Sequence, residues 1–577
     1  MFRYVLILIL VASALLAQDR EKRSVTRTYH LGGLPPAAGT RLRRPEEREL
    51  SMLGLDPRDY EPIRVEEKPE ISSSQVVNTV SELFGEIHDD IKISDTPTRN
   101  LLVTTSADVH RQLDRALGML IRNSSASIEV EVRHLSLPLR KVDDSIRSLL
   151  ATATGSLPRE GRRRLEALDK NKGDRGGTLH IAPGRWGTYR ATRSLRYLPN
   201  FEVEIAQGSA IADPVPVRAT EGIVASVRPF VLQDGRVMLR VVAAAGDLGA
   251  KFRRFRISTM DMAWINRATS MNGELEHGDF RGCVASTEAL VDVGGSVAIS
   301  MSRPGENGAM EVLLLTVKAA PAPPEAGSLT ILPLGALTAE GNAYGLAWAE
   351  DDAEHAIYLQ ESDETIRVSP CLVEALLQEE LVSREAKGFL YGTPWLHGGA
   401  LLARMDAATA KALKERVASL ERELLRPVRL KIELLAGGKT VGLLAAPLLV
   451  DRAAAFAAYH QLDFLGDYEV EVAQEARIAD PVRDFAYGGM FANVKVSPTG
   501  SRNYRLRLDL RIAVMGAIRT INPAAGGFGS LQSVPVRTRH IRTSLDLAPG
   551  RPKTIDLGRN PYAPDEPGRL IARVSVD

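Results

Sequence analysis

The chain has 577 residues, a formal net charge of +1, 25% charged residues and 44% apolar residues. That length accommodates several domains of about 100–200 residues each, and the composition is globular. The balanced charge excludes a global field drawing the chain to nucleic acid or anionic lipid, and 5% aromatic residues supply no stacking platform for single strands.

Residues 1–17 read as a secretory signal peptide: Arg3 gives a positive start, Val5 to Val11 an apolar core, and Ala14 and Ala17 small-residue cleavage sites. The apolar run is shorter than the roughly 20 residues of a spanning helix, so the chain is expected to be exported. Residues 18–70 are charged and proline-bearing, and Arg41 to Leu50 shows no apolar face, as in a flexible linker. Over 71–137 the order is helical spacing (Val76, Val77, Val80, Leu83, Phe84), a strand (Ile91, Ile93), the turn Thr96 to Asn100, and the strand Leu101 to Thr104. A helix over 107–121 follows, with Val109, Leu113, Leu117, Leu120 and Ile121 on one face, then a strand with Ile128, Val130 and Val132. This predicts a small α+β unit.

Residues 138–318 predict a β-rich domain. Its arginine run, Gly161 to Gly177, reads as a solvated helix start or loop. Val203 and Ile205 alternate with Glu202 and Glu204, as in a strand. Ile223 to Val227, the turn Gln233-Asp234-Gly235 and Val237 to Val242 predict a hairpin. Gly294-Gly295 divides two apolar runs, and Met310 to Val317 reads as a buried strand. Residues 319–327, AAPAPPEAG, are a linker.

The stretch Phe201 to Val215, FEVEIAQGSAIADPV, recurs as Tyr468 to Val482, YEVEVAQEARIADPV, at an offset of 267. The offset pairs Glu202 with Glu469, Glu204 with Glu471, Gln207 with Gln474, Asp213 with Asp480, Pro214 with Pro481 and Gly222 with Gly489. A repeat of this quality sets the architecture: a second α+β unit over 328–435 and a second β-rich unit over 436–577. After a poorly matched insert (Ser328 to about Ser362), the second copy has a helix Leu372 to Leu381, a strand Leu401 to Met405, and a helix Ala407 to Leu424 with Ala410, Leu413, Val417 and Leu420 inward. A strand with Val428, Leu430, Ile432 and Leu434 follows. Aligning Glu129-Val130-Glu131 with Lys431-Ile432-Glu433 gives an offset of 302, so copy two is 35 residues shorter before the 267 register begins. In Tyr504 to Val514, Leu506, Leu508, Leu510 and Ile512 alternate with Arg505, Arg507, Asp509 and Arg511, which leaves one face for solvent or a neighbouring chain.

No nucleophile elbow, phosphate loop, dinucleotide fingerprint or zinc-protease helix occurs. The repeated acids have no basic partner at a fixed offset, so Glu202 and Glu204 read as the wet face of a sheet and not as an acid/base pair. His110 reads as a surface or capping residue, and His88 beside Asp89-Asp90 as a turn. Cys283 and Cys371 read as two separate buried thiols; pairing in an exported chain is the other reading. No catalytic residue, cofactor or metal ligand is expected, and the chain is not expected to be an enzyme. The twelve matched residues are expected to serve structure and assembly.

Asp95 to Leu120, followed by Ile128 to Leu135, resembles the periplasmic ring-building domain of bacterial secretins. Glu221 to Val241 resembles the secretin core, with its strand-opening glycine, V-x-P and D-G hairpin. Val291 to Ser300 resembles the later strand with paired glycines, and Leu545 to Gly558 is its counterpart in copy two. The resemblance implies an α+β architecture: two tandem copies of a ring-building-type domain, each followed by a mostly-β core-like domain. It further implies a homo-oligomeric protein of type II or type III secretion, in the periplasm or outer membrane of a Gram-negative-type bacterium. Its partners would be copies of itself or other envelope proteins, with outer-membrane contact. A soluble periplasmic scaffold that keeps the fold without a pore is the alternative.

Overall fold

The computed structural model describes residues 25–30, 92–95, 100–105, most of 107–118, 126–150, 156–169, 176–206, 209–248, 252–260, 270–303, 309–322, 329–338, 343–348, 357–362, 390–397, 400–473, 476–499, 503–521, 531–562 and 568–577. The signal segment, the helices expected at 76–84 and 372–381, His88, Cys371, Gln207 and Gln474 lie outside these residues.

Period-two alternation of apolar side chains dominates the sequence, and the chain is mostly β. Among the described residues, the first half gives eight strands to the two large sheets: β1 (Ile128–Pro138), β2 (Gly176–Ile181), β3 (Gly187–Ala206), β4 (Ser209–Val231), β5 (Val237–Leu248), β6 (Asp279–Val291), β7 (Ser296–Ser302) and β8 (Ala309–Ala319). Eight come from the second: β9 (Pro427–Ala436), β10 (Lys439–Leu449), β11 (Ala453–Ala473), β12 (Ala476–Pro498), β13 (Tyr504–Met515), β14 (Val536–Leu547), β15 (Lys553–Arg559) and β16 (Arg569–Val576). They form two eight-stranded sheets. Sheet I runs β14-β13-β12-β11-β6-β5-β4-β3 and sheet II runs β15-β16-β9-β10-β7-β8-β1-β2. Among the described residues, all strand pairings within them are antiparallel.

The order within the second half repeats that of the first, strand for strand. Both halves therefore lie side by side in each sheet, joined at β6–β11 and at β7–β10. A single apolar core fills the space between the sheets. It includes Ile128, Val130 and Val132 of β1, Val237, Leu239 and Val241 of β5, Phe456 of β11 and Val574 of β16. Leu506, Leu508, Leu510 and Ile512 of β13 point into it, as their alternation predicts. Each such side chain contributes about 1.5–3 kcal/mol on burial.

Three sequence expectations change. The strand at 128–132 does not belong to the α+β unit of 71–137: it is part of β1 in sheet II, paired with β8 and β2. Val25–His30, inside the supposed linker of 18–70, is a strand paired with Asn100–Thr105, which also pairs with Lys92–Asp95. His110, read as a surface or capping residue, is buried.

The 35-residue difference between the copies has a structural location. In copy one, β1 and β2 are separated by helices α1 (Asp144–Leu150) and α2 (Arg159–Leu168). Leu150 and Leu165 pack with Met310, Val312 and Leu314 on the outward face of sheet II. In copy two, β9 turns into β10 through Gly437-Gly438 alone, with φ of 55° and 79°, the two positive values a tight hairpin requires. The arginine run is not wholly solvated. Arg162 of α2 donates to Glu131 at 2.9 Å and to Thr316 at 3.0 Å, fixing the helix on β1 and β8.

In the second half, Ala400–Met405 pairs with Leu329–Pro333 and Leu390–His397, and helix α3 (Ala407–Leu424) follows, capped by Asp406, which accepts from the Thr409 N–H. Its inward Leu413, Val417 and Leu420 pack with Leu401, Leu332, Phe230 of β4 and Leu232 just beyond it. Glu421 of α3 accepts from the Gln233 N–H at 2.9 Å while 4% exposed. Burial pushes this carboxyl up to about 8, against the single backbone hydrogen bond. Because the folded value exceeds the unfolded one, the unfolded chain releases its proton first as pH rises. Stability is thus full below about pH 4.5 and falls progressively toward pH 8. Glu421→Gln is expected to raise unfolding stability at pH 7 by up to about 3 kcal/mol, with the gain shrinking to nothing near pH 4, measured by urea denaturation across that range.

Candidate assembly edges and the hairpin ends

The repeated motif builds the far ends of the two longest hairpins, β3–β4 and β11–β12. The register sets Glu202 opposite Asp213 and Glu469 opposite Asp480, with the connections immediately beyond Ala206/Ser209 and Ala473/Ala476. Glu204 stands opposite Ile211 and Glu471 opposite Ile478. Asp213, Pro214 and Glu469 are exposed, whereas Pro481 is buried. The two ends thus share a backbone plan and differ in surroundings.

Gly222 and Gly489 occupy equivalent places, with φ of 126° and 149°. A Cβ on Gly222 would lie 2.1 Å from the Ala191 carbonyl oxygen, and one on Gly489 2.2 Å from that of Ala458. Both positions require glycine on conformational and steric grounds. They belong to one row across sheet I: Thr192, Gly222, Gly246, Gly282, Tyr459, Gly489, Ala513 and Thr538. Glycines in strand interiors mark bends and close approaches. The Tyr459 ring covers Gly282, where a Cβ would meet its hydroxyl at 2.6 Å.

The seam between copies pairs β6 with β11 from Asp279/Leu462 to Ser286/Ala455. Arg281 stands opposite His460, two basic groups face to face. Asp279 lies between them, 2.5 Å from His460 and 3.3 Å from Arg281. Burial would raise its carboxyl, but the hydrogen bond and charge of His460, then Arg281, bring it down to about 2. Toward the other end of the seam Glu288 of β6 pairs with Arg240 of β5, and with Arg452, which precedes β11, at 3.5 Å. Burial opposes ionisation there too, and the two guanidinium groups outweigh it. Cys283, on this seam, is buried and free.

Among the described residues, β3 and β14 have no partner strand on their outer sides, and neither do β2 and β15. These are the copy counterparts of the seam strands: β3 of β11, β14 of β6, β2 of β10 and β15 of β7. Arg190, Arg193 and Arg196 on β3 and Arg537, His540 and Arg542 on β14 are exposed.

Where the long hairpins leave the sandwich, a buried polar cluster joins elements far apart in sequence. The Tyr197 hydroxyl donates to Asp463 at 2.9 Å and accepts from Arg483 at 2.6 Å. Asp463 also accepts from Gln461 at 3.2 Å and from the Gly278 N–H at 3.3 Å, and its carbonyl accepts from Arg253. His277 is buried against Phe255; desolvation, then the charges of Arg253 and Arg483, lower it to about 4. Repeat matching misses this cluster, because Asp463 and Arg483 correspond to Arg196 and Pro216 in copy one. No shared motif signals it.

Two outcomes follow. Gly222→Ala and Gly489→Ala are each expected to cost roughly 2–4 kcal/mol, read from denaturant midpoints, with Gly118→Ala, where a Cβ meets nothing within 4 Å, as the control. His277 titrates lower in the folded chain, so its contribution is full above about pH 6.5 and is lost as pH falls toward 4. His277→Phe is expected to flatten that acid limb, which runs opposite to the Glu421 slope.

No protein-family model and no curated protein matches the chain. Among solved structures, the chain is similar to the Salmonella SPI-1 type III secretion injectisome secretin InvG, at 13% identity and a TM-score of 0.22, covering 53% of this chain and 89% of that one. Aeromonas hydrophila ExeD is similar at 8% identity and a TM-score of 0.16, covering 96% of this chain and 90% of that one. The type II secretion system secretin GspD of E. coli K12 is similar at 8% identity and a TM-score of 0.13, covering 96% and 89%.

Proposed function

We propose that this chain is a secretin-like cell-envelope protein, a subunit of an outer-membrane secretion channel or of its periplasmic ring. In this reading the α+β units of both halves are ring-building modules and the paired sheets are two core-like modules laid side by side. The twelve matched residues serve the hairpin ends and their assembly, and the protein acts by contact, not by catalysis.

The observation that carries the reading is the seam. Among the described residues, the same joint that unites the two halves is left unmade at both outer sides of both sheets, β3 with β14 and β2 with β15. A head-to-tail contact repeated around an axis closes into a ring. One observation favours the non-inserting scaffold as a second reading. The face of β13 and β14 turned from the core carries Arg505, Arg507, Asp509, Arg511, His540 and Arg542, where a lipid-facing barrel presents an apolar band.

Native mass measurement of detergent-extracted protein is expected to give a closed multimer, with conductance in planar bilayers for the channel form. A multimer released by osmotic shock and silent in bilayers selects the scaffold. A monomer in both fractions overturns the ring.

A further inference from the structure

We propose that neighbouring chains join β14 to β3 in the register of the internal seam, and that a phosphate-class dianion held by Arg193 of one chain and Arg537 and Arg539 of the next occupies the place that Asp279 fills inside the chain. This rests on the ring reading and adds a register and a ligand to it.

The register is carried over directly. β3 maps on β11 at the offset of 267 (Thr192 to Tyr459), and β14 maps on β6 at 256, since Val291 and Leu547 oppose the equivalent Val237 and Tyr504. The internal pair Gly282/Tyr459 then becomes Thr538/Thr192, and Arg281/His460 becomes Arg537/Arg193. Both joints set two basic residues face to face, which is destabilising without a counter-charge. Inside the chain Asp279 supplies it. At the outer joint the equivalent residue is Pro535, which carries no charge.

The cations share one face. Tyr189, Ala191 and Ile541 pack on the core between the sheets, so by the two-residue period Arg193, Arg537 and Arg539 point the same way. Glu221, 2.6 Å from Arg193, is the carboxylate nearest them on β4. Arg539 already donates to the Thr538 and Arg559 carbonyl oxygens and contributes charge, while Arg193 and Arg537 contribute planar forks that bind phosphoryl oxygens in pairs; three guanidinium groups against one carboxylate leave a charge of about +2, matched to a phosphate dianion. The anion is free phosphate or the phosphomonoester headgroup of a lipid; the chemistry at the seam is the same.

The test uses the full chain with Thr192→Cys and Thr538→Cys, whose paired backbones would lie within disulfide reach; each single variant is the control. Assembly and crosslinking are followed in chloride, in inorganic phosphate at equal ionic strength, and in phosphate-free buffer with phosphatidic acid vesicles, whose headgroup is a phosphomonoester. The expected result is interchain crosslinking that rises on the order of tenfold with phosphate or with vesicles, the responding arm naming the source. Arg537→Gln should lose that rise, and Pro535→Asp should assemble without any anion. Multimers that form but do not crosslink overturn the register and leave the ring standing. Equal crosslinking in all three buffers overturns the anion. A monomer under every condition, Pro535→Asp included, removes the ring reading itself.

Discussion

Antiparallel backbone pairing is the constraint on which this structure depends. A strand buried in a sheet must satisfy its N–H and C=O groups on both sides, and the chain meets that demand by placing its two halves edge to edge. The joint β6–β11 is where the demand is met between copies. It is reinforced where main-chain pairing alone would bring like charges together: Asp279 separates Arg281 from His460, and Glu288 ties Arg240 to Arg452. Without those carboxylates, basic side chains would meet along the seam uncompensated.

What was legible in the sequence is local. The alternation in β13, the inward face of α3 and the hairpin around Gly235 all follow from spacing within a dozen residues. The equivalence of Gly222 and Gly489 follows from one offset, and the structure supplies its reason, a carbonyl oxygen where a Cβ would stand. Strand partnership was not legible. Alternation says that Ile128 to Val132 is a strand with one apolar face, but not that this face closes the sandwich. Val25–His30 is short, sits among charged segments and gains its structure from a partner about 75 residues away.

The cluster of Tyr197, Asp463 and Arg483 was hidden for a different reason. Searching for repeats selects positions where the copies agree, and here they differ. Contacts between the copies need unlike residues on the two sides, an arginine for a glutamate or a tyrosine over a glycine. The most informative polar groups of a duplicated chain therefore fall where matching is poorest. The buried Glu421 and His277 show the same limit: their surroundings come from turns and hairpins that no local pattern connects to them.

The helices α1 and α2 have a further consequence. They roof the first half of sheet II and reach across the seam to Leu443 and Ala445 of β10, whereas in the second half two glycines join β9 to β10, and Lys431, Glu433 and Arg573 form ion pairs on the outer face. Two strand quartets of one plan thus carry different exteriors. A molecule approaching that wall meets a helical ridge and then a charged flat, so the wall has a direction along its width. The doubled backbone gives quasi-equivalence to the frame, and the unshared helices take it away from the surface that other molecules touch.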